Sequence, residues 1–326
     1  MKKVLLLLGF CFISSNMMAQ EVFPIYSDYL SDNVFLIHPS AAGIGNCGKL
    51  RLTYRQQWVG EEEVPSLQTL SFHTKITEKA AVGGIIFNDE NGYHAQRGFI
   101  GSFAYHLNFG REFGAEQLSF GISFMYMQNT FDQRNFTSSV NDPLISQGIE
   151  SSGYYNADFG MAYHYYNAYS YFTAKNILLN SSELYNNNKS LNLRRYLLTI
   201  GYFFENNRRE NGFQFEPSIM GQYIESTSEM FVDLNFKVYK DFIGNKQVWF
   251  VLSYRQNFEN NEIENFKQIT PILGINIKKF MVSYTYSYQV GDIVINGNGN
   301  HQFTLGYNLF CKKPRSTGCP NVNSRY

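Results

Sequence analysis

Long apolar runs are almost missing from this chain. After Ile13 nothing approaches the 18 or so consecutive apolar residues that a membrane-crossing helix needs, so helical spans are excluded. An excess of one charge is missing too: 27 Lys and Arg balance 27 Asp and Glu among 326 residues, which excludes the basic surface required by a nucleic-acid partner. Proline is scarce at 8, and no Pro-rich, Gly/Ser-rich or highly charged linker divides the chain, so one continuous domain is expected. The 4 cysteines and 6 histidines include no HExxH and no Cys/His pair at zinc spacing, and no cofactor or metal is implied. The "NDENG" of 88–92 lacks the calcium-loop pattern and reads as a turn, the "EEE" of 61–63 reads as a solvated loop tip, and "GNGN" at 297–300 has no following helix to cradle a phosphate. No Ser or Asp/His set stands out on a loop, and an enzyme is not expected.

Aromatic side chains are abundant, with 24 Tyr and 29 Phe. Residues 1–19 carry Lys2 and Lys3, an apolar run from Val4 to Ile13 and a small residue, Ala19, before Gln20, which is the layout of a secretory signal. The mature chain is therefore expected outside the cytoplasm. Beyond residue 48 the sequence alternates with period two over fourteen segments: 49–58, 67–76, 80–88, 98–109, 117–130, 153–166, 169–178, 193–204, 212–224, 230–240, 247–257, 268–277, 281–290 and 301–310. In 98–109 one parity reads Phe99, Phe103, Tyr105, Leu107 and Phe109, and the other reads Ser102, Ala104, His106 and Asn108. Grease outward and small or polar groups inward is the signature of transmembrane barrel strands of about 10 residues. A secreted β-sandwich shares the alternation, but the connections favour the barrel. With the first strand rising from the periplasm, the outer loops are 59–66, 89–97, 131–152, 179–192, 225–229, 258–267 and 291–300; six of these seven exceed every inner turn. The expected fold is a single all-β outer-membrane barrel of about 14 antiparallel strands over 49–310, with both ends in the periplasm.

On this threading Leu50, Leu52, Tyr54 and Trp58 face lipid, Trp58 at the outer rim, while Arg51, Arg55 and Gln57 point into the lumen. Asp158, His164, Asp233, Lys237 and Arg255 share that inward parity, which implies a mutually paired interior. Residues 20–48 hold Pro24, Pro39 and the small run Ser40 to Gly43, so they cannot sustain a strand ladder. Their apolar Val34 to Ile37 need burial, and the segment is expected in the lumen or across its periplasmic mouth, with Arg51 and Arg55 as hosts for Asp28 and Asp32. In the tail 311–326 a local Cys311–Cys319 disulfide is expected; Cys47 is left over, either reduced or paired with one of these.

Short motifs recur in a telling order: Tyr26-Ser27-Asp28-Tyr29 with Asn33, then His38-Pro39-Ser40-Ala41-Ala42-Gly43, then Tyr54-Arg55-Gln56-Gln57-Trp58 with Gly60 and Pro65. Asn88-Asp89 with Gly92 and finally Leu305-Gly306-Tyr307-Asn308 follow. In this the chain resembles the PorP/SprF outer-membrane proteins of the type IX secretion system of gliding and secreting Bacteroidetes. It departs from the family's "NPAYAG" element at His38 and Ala41. The resemblance implies a non-enzymatic role with other type IX secretion components: supporting export and surface retention of a large adhesin-like, gliding-motility-type partner bearing a C-terminal sorting domain. No catalytic residue is carried over. A passive channel or hydrophobic-solute transporter is the alternative. The partner is expected at outer loops 131–152 and 179–192, whose Asn- and Ser-rich sequences display Phe136, Leu144, Ile145 and Tyr185.

Overall fold

The computed structural model describes residues 27–57, 64–109, 116–134, 148–178, 194–204, 212–258, 266–290 and 299–311, and the backbone of 180–181 and 190–191. Three 3-10 turns come first: η1 (Ser27–Leu30), η2 (Val34–Leu36) and η3 (Pro39–Ala41). The strands are β1 (Gly48–Gln57), β2 (Ser66–Lys75), β3 (Ala80–Asn91), β4 (His94–Phe109), β5 (Glu116–Asp132), β6 (Ile149–Tyr165), β7 (Ala168–Lys175), β8 (Asn180–Ser181), β9 (Ser190–Leu191), β10 (Arg195–Tyr202), β11 (Phe213–Ile224), β12 (Glu229–Phe242), β13 (Lys246–Phe258), β14 (Lys267–Ile277), β15 (Phe280–Gln289) and β16 (Asn300–Leu309). Apart from β8 and β9, which form their own two-stranded ribbon, all of them join one closed barrel of fourteen strands.

Each wall strand pairs antiparallel with its neighbours, and β1 closes on β16 from Gly48 opposite Leu309 to Gln57 opposite Asn300. Left open, these two edges would present rows of unpaired backbone groups to hydrocarbon, at several kcal/mol per group. The pleat then sorts side chains. Leu52, Phe99, Phe124, Leu252 and Leu273 stand exposed on the outer surface, whereas Arg51, Ser71, Ser119, Asn235 and Thr304 are buried inside. An apolar exterior around a polar interior is the arrangement that lipid on the outside requires.

Proline marks two local breaks in this ladder. Pro271 in β14 has no N–H to give, and pairing with β15 skips from Ile269–Tyr288 to Ile272–Thr285. Thr270 Oγ1 bonds Ser287 Oγ at 3.0 Å across the gap. Pro217 in β11 lies just beyond Ser218, the last residue there paired with β10.

Three expectations change. The proposed loop 89–97 is a hairpin: β3 runs to Asn91, β4 starts at His94, and Gly92 adopts a φ of 56° in the turn. At the opposite end, 203–212 is as long as 290–299, so the loops sort less cleanly than expected, although the long connections 133–148 and 176–194 do leave from one end. The third change is the disulfide, which joins Cys47 to Cys311 across 264 residues with Cα atoms 4.0 Å apart. Cys311 is therefore not available to Cys319, which lies outside the described residues. The reason is topological: closing β1 on β16 brings the residue before Gly48 beside the end of the last strand, and sequence spacing carries no trace of that.

Non-reducing peptide mapping should find Cys47 joined to Cys311, and Cys319→Ser should leave the link intact. Replacing Cys311 should lower stability by about 2–4 kcal/mol. A Cys311–Cys319 link would contradict the seam.

Candidate functional site

The inward-facing polar groups of the wall need partners, and residues 27–47 supply many of them. Local chemistry keeps this stretch out of any ladder. Pro39 occupies the first position of η3 behind the N-cap His38, where its lack of an N–H costs nothing. Gly43 and Gly45 hold φ values of 71° and 100°, a region closed to most side chains. The backbone turns on itself instead, with Ala41 N donating to His38 O at 2.9 Å and Ala42 N to Pro39 O at 3.1 Å.

Wall glycines admit this compact chain. A Cβ on Gly121 of β5 would lie 2.3 Å from Ser40 N, and one on Gly83 of β3 would lie 2.4 Å from Phe35 Cζ. The main chain of 39–40 thus lies directly on the inner face of β5, and the Phe35 ring on that of β3. Tyr29, Leu30, Phe35, Leu36 and Ile37 join an apolar cluster with Met220, Trp249, Val251 and Ile272 from the wall.

Polar contacts reach strands all round the barrel. Tyr29 OH donates to Asp233 Oδ2 of β12 at 2.9 Å and accepts from Asn235 Nδ2 at 3.0 Å. Asn33 Nδ2 donates to Ser71 Oγ of β2 at 2.9 Å. His38 sits between Thr173 Oγ1 of β7 at 2.8 Å and Thr199 Oγ1 of β10 at 2.9 Å, its ring stacked on Tyr171. His106 Nε2 of β4 donates to Ala42 O at 3.0 Å, and Gly43 N donates to His73 Nδ1 of β2 at 2.9 Å. Asp233 lies near one end of β12 and His73 near the opposite end of β2, so the segment runs along most of the barrel's height.

Buried charge is paired. Asp32 receives Lys49 at 3.1 Å and Arg51 at 2.9 Å, and Arg51 also donates to Asn308 of β16 at 3.0 Å. Burial pushes the Asp32 carboxyl up, but Lys49, Arg51 and Lys237 together outweigh it and hold the group well below the usual carboxylate range. On the far wall Arg255 grips Asp233 with Nε at 2.5 Å and Nη2 at 2.6 Å, a two-pronged pair joined by the Tyr29 hydroxyl. Glu216 of β11 accepts from the hydroxyls of Tyr169 and Tyr239. Lys237 Nζ lies 4.4 Å from the Trp249 ring centroid and donates to Leu30 O at 3.4 Å. A cavity of about 60 Å³ lies between segment and wall, lined by Tyr29, Asp32, Tyr169, Glu216, Lys237 and Tyr239 among others. Among the described residues, no group of three or more His, Cys, Asp or Glu could hold a metal ion.

The family-motif residues split as follows. Arg51 and Arg55 are buried inside, Tyr54 is exposed outside, and Gln57 is half-buried at the end of β1. Arg51 is indeed a host of Asp32, together with Lys49, which the sequence reading did not name. Arg55 shares its inward row with Leu67 and Asp89, and its charge acts on Asp89. Trp58, Phe136, Leu144, Ile145, Tyr185 and the Asp28 side chain lie outside the described residues. Asp158 accepts from Asn176 N at 2.9 Å, and His164 Nε2 meets Tyr171 OH at 2.8 Å. Sequence reasoning passed over Tyr29 and His38 as contact makers. The available signal was their place in ordered motifs, and His38 drew notice only as a departure.

A model of the type IX secretion system membrane protein PorP/SprF matches residues 19–307. The chain belongs to this family. Comparison with curated proteins finds no match. Among solved structures, a Pseudomonas aeruginosa FadL homologue superposes with a TM-score of 0.50 at 8% identity, covering 82% of this chain and 90% of that one. The TodX monoaromatic hydrocarbon channel gives a TM-score of 0.50 at 10% identity, with coverages of 86% and 93%. CdiB from Acinetobacter baumannii gives 0.37 at 8% identity and 80% coverage, and the chain spans only 60% of CdiB's length. At such identities the likeness is one of fold alone. This PorP/SprF protein is an outer-membrane β-barrel and a membrane component of the type IX secretion system.

Gly121→Leu places a side chain where the main chain of Ser40 lies. Limited proteolysis should then cut residues 27–47, protected in the parent, while the barrel keeps its heat-modifiable gel mobility. Unchanged protection would contradict the contact.

Proposed function

We propose that this PorP/SprF protein supports export and surface retention of a large adhesin-like partner with a C-terminal sorting domain, without catalysis and without passing the partner through its own lumen. The observation that carries the reading is the occupied interior: residues 27–47 bond to six wall strands and share two buried ion-pair clusters with them. A polypeptide crossing this barrel would have to displace all of these contacts. In this reading residues 27–47 close the barrel, and the protein acts by what its rim holds. Family membership supports a place in secretion, and a rim site falls on the two long connections 133–148 and 176–194, which leave from the same end. Apolar anchors on otherwise polar loops gain little unless they pack on a partner, which favours Phe136, Leu144, Ile145 and Tyr185 for that contact.

Two measurements check this. Changing those four residues together to Ser should leave barrel assembly intact and lower the amount of partner retained at the cell surface severalfold; full retention on an assembled barrel would move the contact elsewhere. In planar bilayers the full-length protein should conduct little, and deleting 21–46 should open a large conductance. High conductance, or uptake of hydrophobic solutes, by the full-length protein would favour the channel alternative.

A further inference from the structure

We infer that the contact between residues 38–43 and the barrel wall is an acid-sensitive latch, built on His38 and His73, that releases the lumen segment without opening the barrel. The inference rests on the reading that this segment closes the lumen.

Two features set this stretch apart. First, neither imidazole faces water. His38 is fully buried, and His73 is 4% exposed. Second, the bonding of His73 demands a neutral ring. Its Nδ1 accepts the Gly43 N–H, which an Nδ1 carrying its own proton cannot do. A proton there would therefore break the bond and leave the Gly43 N–H facing a cation.

On the β1 side of His73 stand Lys49 and Arg51, which share a single carboxylate, Asp32; His106 is the nearby titratable group on β4. Beside His38 the charged neighbour is Lys175 of β7, which donates to Leu36 O at 3.3 Å and is itself attracted to Asp158; Arg195 lies beyond it on β10. Tyr171 stacks on the ring and offers no anion. Among the described residues no carboxylate faces His38 to stabilise an imidazolium. Burial pushes its imidazole down from the ordinary 6.5 to about 3, and Lys175 adds to that shift.

The sign follows from linkage. Freed into water, His38 binds a proton near pH 6.5; docked, it stays neutral down to about 3. The docked state is therefore fully favoured above the higher value and loses ground as pH falls between the two. His38 favours release by up to about tenfold per pH unit in that window. The wall strands respond differently, because their ladders are made of backbone hydrogen bonds, which do not titrate. Geometry also sets where the freed segment goes. Cys47 is covalently fixed to Cys311 at the seam, and Gly45, at a φ of 100° with no atom nearer to its would-be Cβ than Lys49 Cε at 3.9 Å, can swivel. Released, residues 27–44 stay tethered at the rim where β1 begins, ready to dock again when the pH rises.

The test uses full-length protein in liposomes, with Cys319→Ser to remove the other thiol and Ser40→Cys as a reporter, since Ser40 is fully buried. A membrane-impermeant maleimide should label the introduced thiol slowly at pH 7.5. At pH 5 to 4.5 a charged pyridyl disulfide, which exchanges with thiols in acid, should react with it at least tenfold faster than the same reagent does at pH 7.5, while heat-modifiable mobility shows the barrel intact throughout. His38→Gln with His73→Gln keeps a donor and an acceptor at each place but removes the titration, and should flatten the pH response. If the double variant fails to assemble, His73→Gln alone should shift the response to lower pH. Protection of the reporter thiol down to pH 4.5, or an unshifted response in the Gln variants, would overturn the latch. Neither result would touch the closure itself, which the deletion of 21–46 tests separately.

Discussion

Every peptide group in a bilayer must find its hydrogen-bond partner inside the protein, and the pairing of β1 with β16 is where this chain meets that demand. Once those two edges meet, no strand of the barrel wall has a free side, and the period-two alternation acquires an inside and an outside. The outside can be Leu, Phe and Tyr because lipid solvates them. The inside cannot be left as it is: Arg51, Asp233, Arg255 and Lys237 are buried there, and each would be costly unpaired.

Residues 27–47 are the answer to that second demand. They bring Asp32 to Lys49 and Arg51, a phenol to the Asp233–Arg255 pair, and main-chain oxygens to Lys175, Lys237 and His106. The wall accommodates them in turn by placing glycine where they come closest, at Gly83 and Gly121. Segment and wall are thus complementary in shape as well as charge. The Cys47–Cys311 bond ties both to the seam that makes the barrel possible.

Much of this is legible in the sequence, for identifiable reasons. The strands show because alternation between lipid and lumen is imposed residue by residue, so that Leu52 and Arg51 declare their faces without knowledge of any partner. Strand ends are less legible: beyond the membrane the apolar parity fades, and it does not mark the extension of β3 and β4 to a tight turn at Gly92. The segment's exclusion from the wall follows from its prolines and small residues, and its attraction to Arg51 from charge. What cannot be read are contacts set by closure and curvature: Cys47 meeting Cys311, Lys49 joining Arg51 at Asp32, and His38 spanning Thr173 and Thr199 on two strands. These depend on which strands become neighbours in space, and a single sequence does not display that.

Backbone hydrogen exchange of residues 36–44, in protein held in outer-membrane vesicles at neutral pH, tests the occupied lumen most directly. The amides of Leu36, Ile37, His38, Ala41, Ala42 and Ile44 donate within the segment's own turns, and that of Gly43 donates to His73. A segment packed as described should exchange slowly, on the scale of the flanking strand β1, with protection lost in the Gly121→Leu variant. Exchange within seconds, as from an unstructured peptide, would contradict the account and leave the barrel with an open interior.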